Sequence, residues 1–167
     1  MGRGTRFSIP SQAVAVRDLH TGHMHELTMR GREHSIAPEL EMERHMAAAT
    51  ILIVDDDVAI RELLSETLAC EGYRVATAAN GAEALQRLGQ VQPSLIVLDV
   101  TMPILDGLGV AQELRRRGSP IPILLVSALD DVAEQAHRLG AIGYLEKPFD
   151  LVTLLSTVAY YCAPCQR

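Results

Sequence analysis

Four consecutive large apolar residues, Leu95-Ile96-Val97-Leu98, run straight into a carboxylate, Asp99, with Pro93 before them and Pro103 behind. A run without polar alternation fits a strand buried on both faces, and a proline cannot extend a central ladder. Asp99 therefore belongs at the carboxyl end of a central strand, on the rim of an apolar core. A carboxylate in that position is costly unless its charge is compensated. A sheet buried on both sides also requires helices from the rest of the chain.

The pattern from Thr50 onward supplies them. Ile51-Leu52-Ile53-Val54 predicts a short buried strand ending in Asp55-Asp56-Asp57. A helix follows, with Ile60, Leu63, Leu64 and Leu68 on one face and Gly72 at its close. Residues 74–78 predict a second, weaker strand. Asn80 and Glu83 have capping-box spacing for a second helix that turns Ala84, Leu85 and Leu88 inward. Beyond the strand at 95–99, Asp106-Gly107 starts a third helix through Val110, Ala111 and Leu114, ending near Gly118. A fourth strand is expected over 121–126, stopping at Ser127-Ala128. Val132, Ala136 and Leu139 mark a fourth helix closed by Gly140, and residues 142–145 a fifth strand. Asp150 caps a last helix through Leu151, Leu154, Leu155 and Val158. Asp57 and Asp106 read as helix caps; Asp130 and Asp131 read as caps rather than metal ligands. Five strands alternating with five helices over residues 50–162 predict one α/β domain, a doubly wound five-stranded parallel sheet.

Residues 1–49 hold no sustained period and are broken by Gly2, Gly4, Pro10, Gly22, Gly31 and Pro38. They read as a disordered or weakly structured extension, with a short strand at 13–16 and a helix over 37–49 behind Ser35 as local candidates. His20, His23 and His25 lack Cys or Asp partners and read as solvated residues rather than metal ligands. Met46 would be a natural start for the compact domain. Residues 163–167 form a tail. Cys162 and Cys165 are spaced C-x-x-C but follow the last helix and lack a second ligand pair, so they read as incidental.

Composition narrows the function classes. The formal net charge of -6 argues against direct contact with nucleic acid. No apolar run approaches the ~20 residues of a membrane span, and the N-terminus has no signal-peptide core. Three cysteines suit a reducing cytoplasm better than a disulfide scaffold.

In a parallel sheet of this kind, ligands bind beyond the carboxyl ends of the strands. The residues gathered there are Asp55 and Asp56 from the first strand, Asp99 from the third, Ser127 from the fourth, and Tyr144 and Lys147 from the fifth and its loop. Lys147 is the only lysine in a chain otherwise supplied with arginine, which suits a site that needs a compact ammonium on a flexible stem. Three converging carboxylates raise one another's pKa values, and a hard divalent cation relieves the repulsion. Mg²⁺ fits best, because it accepts one or two carboxylates and recruits phosphate oxygens. The ammonium and the hydroxyl then read as a phosphoryl clamp around a carboxylate nucleophile.

Four motifs carry this constellation in order: the acidic cluster of ILIVDDD, the segment LDVTMPILDG, VSA at the end of the fourth strand, and YLEKPF. With these motifs at this spacing, residues 50–162 resemble the receiver domain of two-component response regulators, of the single-domain type. The resemblance implies a flavodoxin-like sheet of strand order 2-1-3-4-5. It implies that Asp99 accepts a phosphoryl group from a phosphohistidine, donated by a sensor histidine kinase or a histidine phosphotransfer protein. Asp56, Asp99 and the backbone carbonyl of Thr101 would bind Mg²⁺, with Asp55 orienting the metal. Lys147 would pair with Asp99 and then with phosphoryl oxygens, and a cis Lys147–Pro148 bond is frequent in the family. Ser127 and Tyr144 would act as the switch. They would transmit the change to a downstream protein partner at the face of the fourth helix, fifth strand and fifth helix. Such a protein catalyses only its own phosphorylation and dephosphorylation. No output domain is recognised after the last helix, so action through a partner protein or a phosphorelay is expected.

Two other functions fit parts of the pattern. Asp55-Asp56-Asp57 satisfies the D-x-D of a small Mg²⁺-dependent phosphohydrolase of the haloacid dehalogenase type, with Asp55 as nucleophile, although that leaves LDVTMPILDG unexplained. A pseudo-receiver acting as a phosphate-independent interaction module is the other. The cognate kinase, output partner, oligomeric state and phosphoryl lifetime are not encoded in any motif found.

Overall fold

The computed structural model describes the backbone of residues 13–17 and 24–28, and residues 49–129 and 131–162 with their side chains. Near the N-terminus, β1 (Ala13–Arg17) and β2 (Met24–Thr28) pair antiparallel. The strand expected at 13–16 is thus one arm of a pair whose second arm no sequence signal announced. His20, His23 and the helix proposed over 37–49, except Ala49, which is not helical, lie outside the described residues, and of His25 only the backbone in β2 is described.

From Thr50 the chain alternates strand and helix. The order is β3 (Thr50–Val54), α1 (Val58–Cys70), β4 (Arg74–Ala78), α2 (Gly81–Arg87) and β5 (Leu95–Asp99). It continues with α3 (Gly107–Arg116), β6 (Ile123–Ser127), α4 (Val132–Leu139), β7 (Gly143–Glu146) and α5 (Leu151–Cys162). The sheet runs β4-β3-β5-β6-β7 and every pairing is parallel. This is the 2-1-3-4-5 order that the motifs imply. The central strand β5 is buried at every position, as its unbroken apolar run requires.

Alternate residues of each strand feed two separate cores. Leu52, Val54, Ile96, Leu98 and Leu125 pack with Val110, Val132 and Ala136 under α3 and α4, and Ala84 of α2 joins them. Ile51, Ile53, Val97, Leu124 and Val126 pack with Leu64 and Leu68 of α1 and Leu154 and Val158 of α5. The sheet is therefore the middle layer of three.

Helix ends are fixed by the short polar residues that the sequence offers. Asp57 Oδ1 accepts from the amides of Ala59 and Ile60, Asp106 Oδ1 from Gly109, and Asp150 Oδ1 from Thr153. The Asn80–Glu83 pair forms a shifted capping box. Asn80 Oδ1 accepts from Glu83 N, but Glu83 Oε2 reaches the amide of Ala79 rather than that of Asn80. That bond, with Arg87 beside it, holds the Glu83 carboxyl below its usual range. Gly140, at φ 70°, closes α4 in the left-handed conformation that glycine adopts freely.

Some expectations shift in detail. Leu63, counted on the inward face of α1, is 49% exposed. The helix rests on Leu64 and Leu68, one turn apart, and a neighbour of Leu64 lies about 100° around the axis. The fourth strand starts at Ile123 rather than 121, because Pro122 has no N–H for a ladder. The fifth runs over 143–146 rather than 142–145. Asp131 sits at the start of α4 without a capping bond; its Oδ1 accepts instead from Gln135 Nε2. Asp130 lies outside the described residues.

Tyr73, on the turn from α1 to β4, is buried in the second core, and its hydroxyl has no hydrogen-bond partner among the described residues. Burial pushes its pKa up to about 12. The folded protein then holds the phenolic proton more tightly than the unfolded chain does. That contribution is complete below pH ~10 and is lost as pH rises toward about 12. Tyr73→Phe should leave stability at pH 7 unchanged or raise it by up to about 1 kcal/mol, since the unpaired hydroxyl is costly to bury. Urea denaturation across pH 7 to 12 should show a shallower alkaline loss in the variant.

Candidate functional site

The topology brings the carboxyl ends of β3, β5, β6 and β7 to one edge. Val54 pairs with Leu98, and Asp99 with Val126, so the acidic residues after β3 and at the end of β5 are lateral neighbours. Carboxylate oxygens of Asp55, Asp56 and Asp99 all lie within 4.8 Å of one another. Asp55 and Asp99 are buried; Asp56 is exposed.

Lys147 reaches across two strands into this group. Its Nζ lies 2.7 Å from Asp99 Oδ2 and 2.9 Å from Asp55 Oδ2. The sequence pointed to the Asp99 pairing; the bond to Asp55 appears only in three dimensions. The Lys147 amide donates to the Ser127 carbonyl over 2.7 Å, which ties the loop after β7 to the end of β6. The Lys147–Pro148 peptide bond is cis.

Each buried carboxylate has its second oxygen bound by backbone. Asp99 Oδ1 accepts from the Thr101 amide at 3.1 Å, and Asp55 Oδ1 from the Asp57 amide at 2.9 Å. Burial pushes the Asp99 carboxyl above its ordinary pKa and the nearby Asp55 adds to this, while Lys147 and the Thr101 amide oppose it. Burial by itself would lower the Lys147 ammonium, but its bonds to Asp99 and Asp55 outweigh it and its pKa ends above the ordinary value. The direction that follows from the geometry is a permanently charged lysine between two carboxylates that repel each other.

Ser127 is fully buried at the end of β6, with its Oγ accepting from the Leu129 amide at 3.0 Å. Its own proton remains available to a further acceptor. Tyr144 is half-buried on β7 and packs against the core beneath α3 and α4. Thr101 is exposed on the loop after β5. Asp55, Asp56, Asp99, Thr101, Ser127 and Lys147 therefore lie on this edge of the sheet, whereas Tyr144 is set back from it, level with Leu125 in the middle of β6.

Two supporting residues were given no role by the sequence, although Gly107 closes the LDVTMPILDG segment. Arg61 Nη1 donates to the Asp55 carbonyl at 2.7 Å and pins the acidic loop to α1; only its place one turn into the helix after the aspartates could have hinted at this. Gly107 begins α3 against the backbone of β5, where a Cβ would stand 2.1 Å from the Asp99 carbonyl oxygen and 2.9 Å from Val100 Cα. The donor set is made only of oxygens, and carboxylates this close fit a hard divalent cation.

A family model described as the response regulator receiver domain matches residues 51–159. The chain belongs to the response regulator receiver family. Receivers of this fold have been solved repeatedly. Chemotaxis protein CheY4 of Vibrio cholerae is 35% identical, with a TM-score of 0.63 over 68% of this chain and 98% of its own. Response regulator TrrA of Thermotoga maritima, solved in complex with Mg(2+)-BeF, is 37% identical, with a TM-score of 0.62 over the same shares. Response regulator MprA of Mycobacterium ulcerans is 48% identical over 108 residues, 64% of this chain and 47% of that protein. The probable transcriptional regulator ycf27 of Cyanophora paradoxa is 52% identical over 101 residues, 59% and 42% of the two chains. The receiver chain thus spans about half the length of these two relatives. No helix among the described residues is long and apolar enough to cross a membrane.

The receiver's crowded acidic edge yields two predictions. Asp99→Asn should raise the urea midpoint in metal-free buffer at neutral pH, because it removes a charge that burial disfavours while Lys147 keeps Asp55; an unchanged or lower midpoint would count against the repulsion. Gly107→Ala should cost about 3 kcal/mol or more, because the clash is with backbone that cannot yield. Equilibrium unfolding of the variant checks it.

Proposed function

We propose that this receiver is a phosphoacceptor in a two-component system, taking a phosphoryl group on Asp99 from a phosphohistidine and changing its partner binding as a result. The observation that carries this reading is Lys147 Nζ held 2.7 Å from Asp99 Oδ2, beside the acidic cluster. The family match supports it over the phosphohydrolase and the phosphate-independent module.

In the proposed step a carboxylate oxygen of Asp99 attacks phosphorus. The P–O bond forms as the P–N bond to the donor imidazole breaks, and the leaving nitrogen keeps the electron pair and takes a proton. Asp55, Asp56, Asp99 and the Thr101 carbonyl would hold Mg²⁺, which when bound supplies charge compensation for the phosphoryl oxygens. TrrA's complex with Mg(2+)-BeF lends weight to that assignment. Lys147 offsets the charge of Asp99 before transfer and of the phosphoryl oxygens after it. Ser127 donates its hydroxyl proton to a phosphoryl oxygen. The chain catalyses no reaction beyond gaining and losing this group.

Tyr144, on β7, links the site to the face formed by α4, β7 and α5, where a downstream protein partner would bind. Sensor histidine kinases or histidine phosphotransfer proteins are the donors in this reading, and the cytoplasm is its setting. One relative is named a probable transcriptional regulator, so the charge argument against nucleic acid is confined to residues 1–167.

Acetyl phosphate with Mg²⁺ should add one phosphoryl group to the wild-type chain by mass, and none to Asp99→Asn or in the presence of chelator. A folded wild-type chain that stays unlabelled would sink the proposal. Tyr144→Ala should label normally but lose partner binding, with a coupling of about 1–3 kcal/mol abolished. Equal partner affinity in the phosphorylated variant and wild type would remove Tyr144 from the switch.

A further inference from the structure

The last helix is unlike the other four. Helices α1 to α4 each carry charged side chains, whereas α5 carries none. A surface helix ordinarily turns a charged face to water, and one without such a face is covered on both sides. Leu154, Val158 and Cys162 of α5 pack in the second core. Ser156 follows Leu154 by two residues, about 200° around the axis, so it lies on the outward side. It is nevertheless only 6% exposed. Its Oγ is buried and has no hydrogen-bond partner among the described residues. Val152, one turn earlier on the same outward stripe, is 45% exposed. The cover over α5 therefore begins past its first turn.

The N-terminal strand pair lies next to that helix: β1 is in contact with α5. β1 reads Ala13-Val14-Ala15-Val16 before Arg17, and its pairing sets Val14 opposite Leu27. Two antiparallel strands standing alone in water are marginal, and packing on a helix is one way such a pair gains stability. Each side thus lacks what the other has. The pair needs an apolar support, and α5 offers an uncharged surface outside the receiver's core. The match to CheY4 takes up 98% of that chain and 68% of this one, so a receiver of this fold is complete without the pair. Reach is no obstacle. At about 3.4 Å per residue the chain between Thr28 and Thr50 could span roughly 70 Å, several times the radius of a domain this size. The tether also makes the encounter intramolecular, so a weak contact suffices.

We infer that the outward side of α5 is a docking surface whose occupant is this chain's own β1–β2 pair, seated over Ser156. An uncharged surface that the receiver fold leaves open is thereby kept from indiscriminate contacts. Helix α5 also belongs to the face assigned above to a downstream protein partner. The pair and that partner contend for the same helix, and the pair must lift before the partner can bind across it. That consequence rests on the partner-face reading. The docking itself involves neither Asp99 nor Lys147 nor phosphate.

The experiment places a thiol at the covered position with Ser156→Cys. The full chain bearing it is treated with N-ethylmaleimide, with and without the paired change Val14→Asp and Ala15→Asp, and the rate at each cysteine is read by peptide mass mapping. Adjacent strand residues fall on opposite faces, so the paired change spoils whichever face of β1 meets the helix. Cys70, which is exposed, and Cys162, which is buried on the core side, are fast and slow references within each sample. The introduced thiol should react slowly in the otherwise wild-type chain. It should react about tenfold or more faster once β1 carries the two aspartates, with Cys162 unchanged. Equal rates at the introduced thiol in the two backgrounds, whether fast or slow, overturn the inference. A rise of the same size at Cys162 also overturns it, because the pair would then prop the whole domain rather than cover one side of a helix. The labelling is repeated over a roughly hundredfold dilution. An unchanged rate supports cover within one chain; a rate that climbs on dilution overturns it by assigning the cover to a second copy. No phosphodonor or partner enters the experiment, so failure of the docking leaves the phosphoacceptor reading standing.

Discussion

The site is built around an ammonium wedged between two buried carboxylates. Lys147 Nζ holds Asp99 and Asp55 together across a sheet edge where neither would tolerate the other alone. The three groups come from the ends of β5 and β3 and the loop after β7, so the bridge forms only once the four strands β3, β5, β6 and β7 are in register. It also leaves the arrangement poised. A newcomer with negative charge can compete for the ammonium, and a cation can compete for the carboxylates.

The apolar layers give that bridge its stiffness. Leu98 and Val54 beneath Asp99 and Asp55 are fully or nearly fully buried, and each acid is pinned at its other oxygen by a backbone amide two residues on. Arg61 clamps the acidic loop from the helix side, and Gly107 lets α3 begin against the β5 backbone. Rigid strand ends with short, backbone-bonded loops are the kind of scaffold on which a reacting carboxylate keeps its geometry. The same rigidity explains why the loop after Asp99 holds Ile104 at φ 72°, a conformation that its side chain disfavours.

The response regulator receiver family supplies a function for this arrangement, and the residues account for it chemically. Asp99 is buried beside Lys147 and the acidic cluster, Ser127 ends the adjacent strand β6, and Tyr144 stands on β7 beyond it. Phosphorylation would introduce charge beside a hydroxyl that now accepts only a backbone amide. Its effect could pass through β7 because Lys147 is bonded to the Ser127 backbone as well as to Asp99.

The sequence by itself determined the layer order and the identity of the acids. An apolar run ending in Asp99, a second ending in Asp55, and a solitary lysine before a proline leave few other parallel sheets to build. Local chemistry settled the caps at Asp57, Asp106 and Asp150 because such bonds span only two or three residues. Tertiary structure alone decided the rest. That Lys147 binds Asp55 as well as Asp99, that Leu63 faces water, and that Ile104 is held at positive φ all depend on contacts between elements far apart in the chain. Periodicity records which face of an element is apolar, but not which distant backbone will meet it.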